Sequence, residues 1–434
     1  MSLQRFAFTD RCRPVVQVGI GDTRQPAGQA RWDVARWDTP ADRWAGTEPV
    51  WRDITCETRW ARCEYGRKRT TDRFVAGVAT IEVDNATGWA DPAPTDVPGV
   101  LTMRPGRPVR FGVEHVTLGR RWLFRGFIDA LTPRYLPLDT DTVTLDCVDA
   151  LGEVNRAKQQ ALDPPVGDGE TVDVRINRLL DGIRWAETKR DIQVTADQLV
   201  ADDLGGQLAD LLGQAADSNG GVVFGDIEAR LAYRPRDWQT YVPGSPVAAT
   251  IGNVEATDVC PVEWERPFNR ADIATRAIMG RDPQTAIMRD DQAGQVKYGI
   301  EPFERTDLLT KADTMLVTLA ERALATRGAD VAPRVRSVTL DASTATNALD
   351  LMAAVDVYAP TRYRCRLRYP RGTVFDAVHF ATGVAHELTP ERWSLQLNLD
   401  LASPYETPHA RWEPATGANA GRSRWDAAQW AVAP

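Results

Sequence analysis

Residues 74–92 (FVAGVATIEVDNATGWADP), 104–135 (RPGRPVRFGVEHVTLGRRWLFRGFIDALTPRY) and 141–151 (DTVTLDCVDAL) carry the pattern that decides the fold. Each alternates apolar and polar residues, the period of a half-buried strand. Val75, Val78, Ile81 and Val83 mark the first piece. Asp84-Asn85 with Gly88, and then Arg104-Pro105-Gly106, supply turn chemistry. Val109, Phe111 and Val113 share a face, Trp122, Phe124, Phe127 and Ile128 form the next strand, and Val143, Leu145, Cys147 and Asp149 close the set. Four or five strands joined by short turns predict an antiparallel barrel or sandwich. No catalytic motif lies inside it.

The order of these phrases resembles the tail-hub class of phage minor tail proteins. The phrases are an apolar-Ala-Gly strand ending in Asp84-Asn85, then residues 104–110 (RPGRPVR), 123–129 (LFRGFID) and 143–151 (VTLDCVDAL). Trp51-Arg52-Asp53-Ile54-Thr55 resembles the first strand of that class, and residues 298–309 (YGIEPFERTDLL) resemble a later part of it. The likeness spans residues 13–20, 50–150 and 254–400, and the RWD phrases have an actinobacteriophage-like, siphovirus flavour. It implies two tail-tube-like antiparallel β-barrel domains flanking an α/β insert, as in a baseplate hub. It further implies a structural virion protein at the tail tip, made in the host cytoplasm. Such a subunit caps the tail tube, and the implied partners are itself, as a homotrimer, the tail tube or distal-tail protein, and other tip proteins. Genomic DNA would pass through without specific binding. A distal-tail ring protein is a close structural variant.

At 434 residues the chain is too long for one ordinary core. A net charge of −8, with no basic block longer than Arg67-Lys68-Arg69, argues against a protein that grips phosphates. No apolar run reaches the length of a membrane span, and MSLQRFAFTD is not a signal peptide. Cys12, Cys56, Cys63, Cys147, Cys260 and Cys365 are scattered and read as reduced core thiols. His379 and His386 are seven apart, so an unbroken strand would point them to opposite faces. Neither a metal site nor a cofactor is expected.

Along the chain, residues 13–20 read as a strand. The stretch between it and Trp51 is of another kind. Trp32, Trp37 and Trp44 each follow an arginine, and two precede an aspartate. A similar phrase returns near the end with Trp412, Trp425 and Trp430. Indoles are costly to expose, so these six need a surface. Three readings stand open: clamps for their own loops, contacts to neighbouring subunits, or a sugar platform. The second reading makes them the suspected assembly contacts. The third gives the alternative function, a host-surface glycan-binding tail protein.

The expected division is a first barrel over 1–150 with a Trp-rich insertion at 21–49, an α/β insert over 151–253, a second barrel over 254–402, and an extended tail over 403–434. In the insert, helical spacing appears at 171–185 and about 203–217, followed by a hairpin over 222–234. In the second barrel a helix is expected over about 307–327, then strands near 334–341, 354–359, 364–369, 374–388 and 392–401. The motifs of nucleotide-binding loops, serine hydrolases, zinc peptidases and kinases are missing from the sequence. The acid pairs Asp139/Asp141, Asp202/Asp203 and Asp290/Asp291 read as solvated turns, so no enzymatic activity is expected.

Overall fold

The computed structural model describes residues 2–6, 8, 10–20, 50–70, 72–92, 103–135, 141–240, 245–281, 286–328, 334–343, 346–370 and 372–405. The chain is mainly β, with an α/β insert between two β-rich blocks. The first block contributes β1 (Cys12–Ile20), β2 (Val50–Asp53), β3 (Thr58–Gly66), β4 (Val75–Asp84), β5 (Pro108–His115), β6 (Gly119–Arg134) and β7 (Thr142–Val148). The insert follows with α1 (Ala150–Val154), β8 (Lys158–Gln159), α2 (Val172–Gly182), β9 (Arg190–Ile192), β10 (Gly206–Gln207), α3 (Leu208–Asp217), β11 (Val222–Gly225) and β12 (Leu231–Arg234). The rest is β13 (Ala249–Gly252), β14 (Glu263–Glu265), β15 (Arg276–Met279), β16 (Ile287–Asp290), α4 (Gln292–Tyr298), β17 (Pro302–Arg305), α5 (Asp313–Arg327), β18 (Ser337–Asp341), α6 (Thr346–Ala354), β19 (Arg362–Arg368), β20 (Val374–Leu388) and β21 (Trp393–Leu401).

The two β-rich blocks share one sheet. Its order is β14-β18-β21-β20-β3-β4-β7-β6-β5-β1-β2, with β19 and β13 branching from β20. The seam is β20. One edge pairs with β21; the other pairs with β19 over its first half and with β3 over its second. Strand pairing does not close a barrel among the described residues. In the first block the arc is joined by a turn instead: Ile54 N–H donates to Val16 O, and Asp84 N–H donates to Glu57 O. The inward residues of β4 are Ala79, Ile81 and Val83, whereas Val75 and Val78 lie exposed. One apolar cluster runs from Leu3 and Val16 through Ile81 and Phe111 to Leu340, Trp393 and Leu397, so it too crosses the seam.

Close approach at the seam depends on glycine. Gly66 has φ +109°, and a Cβ there would lie 2.4 Å from Gly383 Cα and 2.5 Å from Thr382 O. Only a residue without a side chain satisfies both demands. A bulge at Thr382 shifts the register of β20 against β21, so that His379 faces Leu401 and His386 faces Leu395. The extra residue puts both histidines on one face, correcting the opposite faces expected of an unbroken strand.

Several local expectations change. α3 begins at Leu208, because Leu204 takes φ 56° and Gly206-Gln207 pairs with β8. α5 begins at Asp313 rather than near 307. The preceding backbone is held extended, with Leu308 N–H on Gly280 O, Leu309 N–H on Ser218 Oγ and Lys311 N–H on Gln198 O. The strand expected at 354–359 is replaced by α6 and turns, with Ala348, Leu349 and Met352 fully packed. α1 and α4 were not anticipated. Each is started by an aspartate that accepts a backbone N–H: Asp149 from Gly152 and Asp291 from Gly294. Cys12, Cys63, Cys147 and Cys365 are buried free thiols, but Cys56 and Cys260 are exposed rather than in the core.

His379 and His386 are fully buried. Burial pushes them down to about 4 and about 3 respectively. An unfolded histidine binds a proton near pH 6.5 and these do not, so their stabilisation is complete above that pH and is lost as pH falls. Asp149, pushed up to about 6 by burial, and Asp356, also raised by burial, act in the opposite sense. The histidine contribution falls between pH 6 and 4. Stability measured by urea unfolding is expected to drop across this window. The double variant His379→Gln, His386→Gln should remove about 1.4 kcal/mol per pH unit of slope for each histidine. An unchanged slope would contradict the assignment.

Candidate assembly surface

The six tryptophans singled out from sequence, Trp32, Trp37, Trp44, Trp412, Trp425 and Trp430, lie outside the described residues. The anchor of the first three is described. Ile20 pairs directly with Val50, so both ends of the 21–49 insertion emerge side by side at one end of β1 and β2.

Beside that anchor the outward face of β1, β2, β5 and β6 is built from arginine and tryptophan. Alternation sends Val16, Val18, Val109, Phe111 and Val113 to the core, and leaves Gln17, Gly19, Arg110 and Gly112 facing out. Trp51 stands opposite Gly19 and Trp122 opposite Gly112, where a Cβ on Gly112 would run into the backbone of β6 at Arg121 O and Trp122 Cα. The Arg110 guanidinium lies between them, 3.8 Å from the Trp51 ring centre and 4.3 Å from that of Trp122. Its Nε–H donates to Gln17 Oε1 at 2.9 Å. Arg125 and Arg120 approach the Trp122 ring at 5.3 and 5.7 Å. Such stacks are favourable because the ring face is electron-rich. Arg125 also pairs with Glu228 in the β11–β12 turn, tying this face to the insert. A bulge between Phe111 and Gly112 buries both Leu123 and Phe124 and turns Trp122 outward. In the sequence, Trp122 falls within an alternating strand pattern. The bulge that re-aims it has no sequence signature, although the neighbouring Arg121 repeats the Arg-Trp pairing seen in the insertion.

A second arrangement fixes the three parts relative to one another. The connection from β3 to β4, through residues 67–70 and 72–74, meets both the insert and the second block. Thr70 donates through N–H and Oγ–H to Asp400 Oδ2 at 2.9 and 2.7 Å, and Asp400 is also paired with Arg334 at 3.1 Å. Arg67, buried, donates to Gln239 Oε1 at 2.9 Å and lies over the Phe74 ring. Asp72 accepts from Arg327 at 3.0 Å, Arg69 pairs with Asp272, and Asp217 takes both Arg73 and Arg305. Burial, with Arg334 and Arg327 nearby, pushes the Arg69 guanidinium down to about 10. Beside this network Tyr65, Tyr358 and Phe224 stack with ring centres 5.1 Å apart at each step, and Phe74 lies 4.9 Å from Phe224. Strand, insert and second block thus share one aromatic column. Among the described residues no three His, Cys, Asp or Glu side chains are grouped to hold a metal ion.

Over more than nine-tenths of its length the chain has the fold of two tail proteins of known structure. The tail protein from Neisseria meningitidis MC58 superposes with a TM-score of 0.57 at 11% identity, over 92% of this chain and 100% of that one. The prophage MuSo2 43 kDa tail protein from Shewanella oneidensis gives 0.54 at 8% identity, over 91% and 99%. No family model matches the sequence, and no curated protein matches it either. The likeness lies in the fold, over more than nine-tenths of each chain.

Removing the Asp400 carboxylate would leave Arg334 without its ion pair and Thr70 without its acceptor in a buried site. Asp400→Ala is expected to destabilise by about 3–5 kcal/mol in denaturant unfolding. A loss below about 1 kcal/mol would show that the junction does not hold the blocks together.

Proposed function

We propose that this chain is a structural subunit of a phage tail, acting at the tail hub or tip. There it caps the tube and connects it to tip or receptor-binding proteins. The observation that carries the reading is the fold shared with two tail proteins over nearly the full length of each chain. Two β-rich blocks in one protomer support assembly as a homotrimer, in which three copies offer six similar units to a six-fold tube. The partners on this reading are other copies of the chain, the tail-tube or distal-tail protein, and further tip proteins. The role is geometric rather than enzymatic. The buried arginine–aspartate junction and the aromatic column suit a part that must hold shape under load, because breaking either leaves buried groups unsatisfied. A net charge of −8 suits a channel through which DNA slides without sticking. Trp32, Trp37, Trp44, Trp412, Trp425 and Trp430 are the proposed assembly contacts.

Antibody labelling of intact virions tests the placement. Label is expected at the tail tip, and virions carrying Trp32→Ala, Trp37→Ala, Trp425→Ala and Trp430→Ala together should show little incorporation. Virions without label would refute the tail assignment. Full incorporation of the variant would refute the role of the tryptophans alone.

A further inference from the structure

We infer that the cleft between β6 and the end of α2 binds a saccharide carrying one anionic group, a carboxylate or a phosphate, with Arg184 as its charge partner and Trp185 as its ring platform. The inference goes beyond the tail assignment and does not depend on it.

The cleft has a volume of about 520 Å³, within the range of small-molecule sites. Buried Phe127 from β6 and half-buried Trp185 give it a flat apolar lining. The indole is fixed in place, because its Nε1–H donates to Lys189 O at 3.0 Å. Lys189 Nζ lies 5.1 Å from the Phe127 ring centre and 5.6 Å from that of Trp185, so a positive charge stands beside the apolar surface. Arg156 is held by Asp129 and Glu153.

Arg184 is the residue that the fold itself does not require. It follows α2 with φ 56°, the left-handed conformation in which a helix end usually places glycine. The helix end needs nothing from its side chain. Trp185 N–H donates to Leu180 O at 2.9 Å, while Arg190 donates to Trp185 O at 3.1 Å and pairs with Asp181 at 2.7 Å. Among the described residues the exposed Arg184 guanidinium has neither a carboxylate nor a hydrogen-bond acceptor, yet it lines the cleft. A side chain kept on unfavourable backbone at a cleft points to use by a ligand.

Three features choose that ligand. Arg184, Lys189 and Arg156 line the cleft with a single carboxylate, Glu153, so it favours an anion, and a guanidinium grips carboxylate or phosphate through two parallel hydrogen bonds. Glu153 in the same wall disfavours the several charges of a nucleotide polyphosphate. Arg156, Arg184 and Ala186 are exposed, so the cleft covers one side of its guest only. A sugar ring suits that arrangement, laying its C–H face on the indole and leaving its hydroxyls in water. An aromatic acid would leave an apolar face wet.

Saturation-transfer NMR on the full-length protein tests the assignment, with methyl glucuronide and glucose 6-phosphate as probes. Saturation is expected on the ring C–H protons of at least one of them, and which one identifies the anionic group. Methyl glucoside, the neutral sugar, should bind about tenfold more weakly or worse. Arg184→Gly should weaken the anionic sugar about tenfold with the fold intact, because glycine accepts that φ without strain. Trp185→Leu, its fold checked by circular dichroism, should abolish the ring-proton signal. Four results would overturn the proposal: no binding of either anionic sugar, unchanged affinity in Arg184→Gly, equal binding of methyl glucoside, or tighter binding of adenosine monophosphate or benzoate than of both sugars.

Discussion

The pairing of β3 with β20 is the constraint on which the rest of the molecule depends. Two β-rich blocks, separated by the insert in sequence, meet along Ala61–Gly66 and Gly383–Leu388 and become one sheet. That meeting needs two backbones closer than any side chain allows, at Gly66 and Gly383. Once they are joined, the apolar interior is continuous across the seam, and neither block can lose its inner face without exposing the other. The buried histidines of β20 belong to the same logic, since that strand is enclosed from both sides and holds its imidazoles neutral.

Electrostatics completes what the sheet begins. The chain uses arginine heavily, and at residues 67–74 the reason is visible. Planar guanidiniums reach across from three units to a few shared carboxylates, Asp72, Asp217 and Asp400. On the outer face the same side chain serves differently, as the flat layer between Trp51 and Trp122. Both uses require the strands to be registered first, because Arg110 meets its indoles only through the pairing of β1 with β2 and of β5 with β6.

Much of this was legible in the sequence. The alternation in 74–151 and 374–401 gave the strands, and the spacing of Val172, Ile176, Leu179 and Leu180 gave α2. Illegible were the features set by tertiary partners. The late start of α5 follows from hydrogen bonds to Ser218, Gln198 and Gly280, which are distant in sequence. α6 is too uniformly apolar for periodicity to tell a helix from a buried strand. The seam was hidden because a glycine pair some 300 residues apart looks like two ordinary glycines. Of the candidate surface, the sequence drew attention to the tryptophans of 21–49 and the C-terminal segment. It did not reveal Trp51 and Trp122, whose outward aim depends on register and a bulge.

The central claim is that the two blocks form one cooperative sheet through β3 and β20. Native-state hydrogen exchange followed by mass spectrometry tests it most directly. The account predicts that amides of residues 61–66 and 383–388 share the highest protection, and that peptides from β4, β7, β18 and β21 exchange with the same free energy of opening. Exchange of the first block at a free energy clearly different from that of β18–β21, with weak protection at the seam, would contradict it.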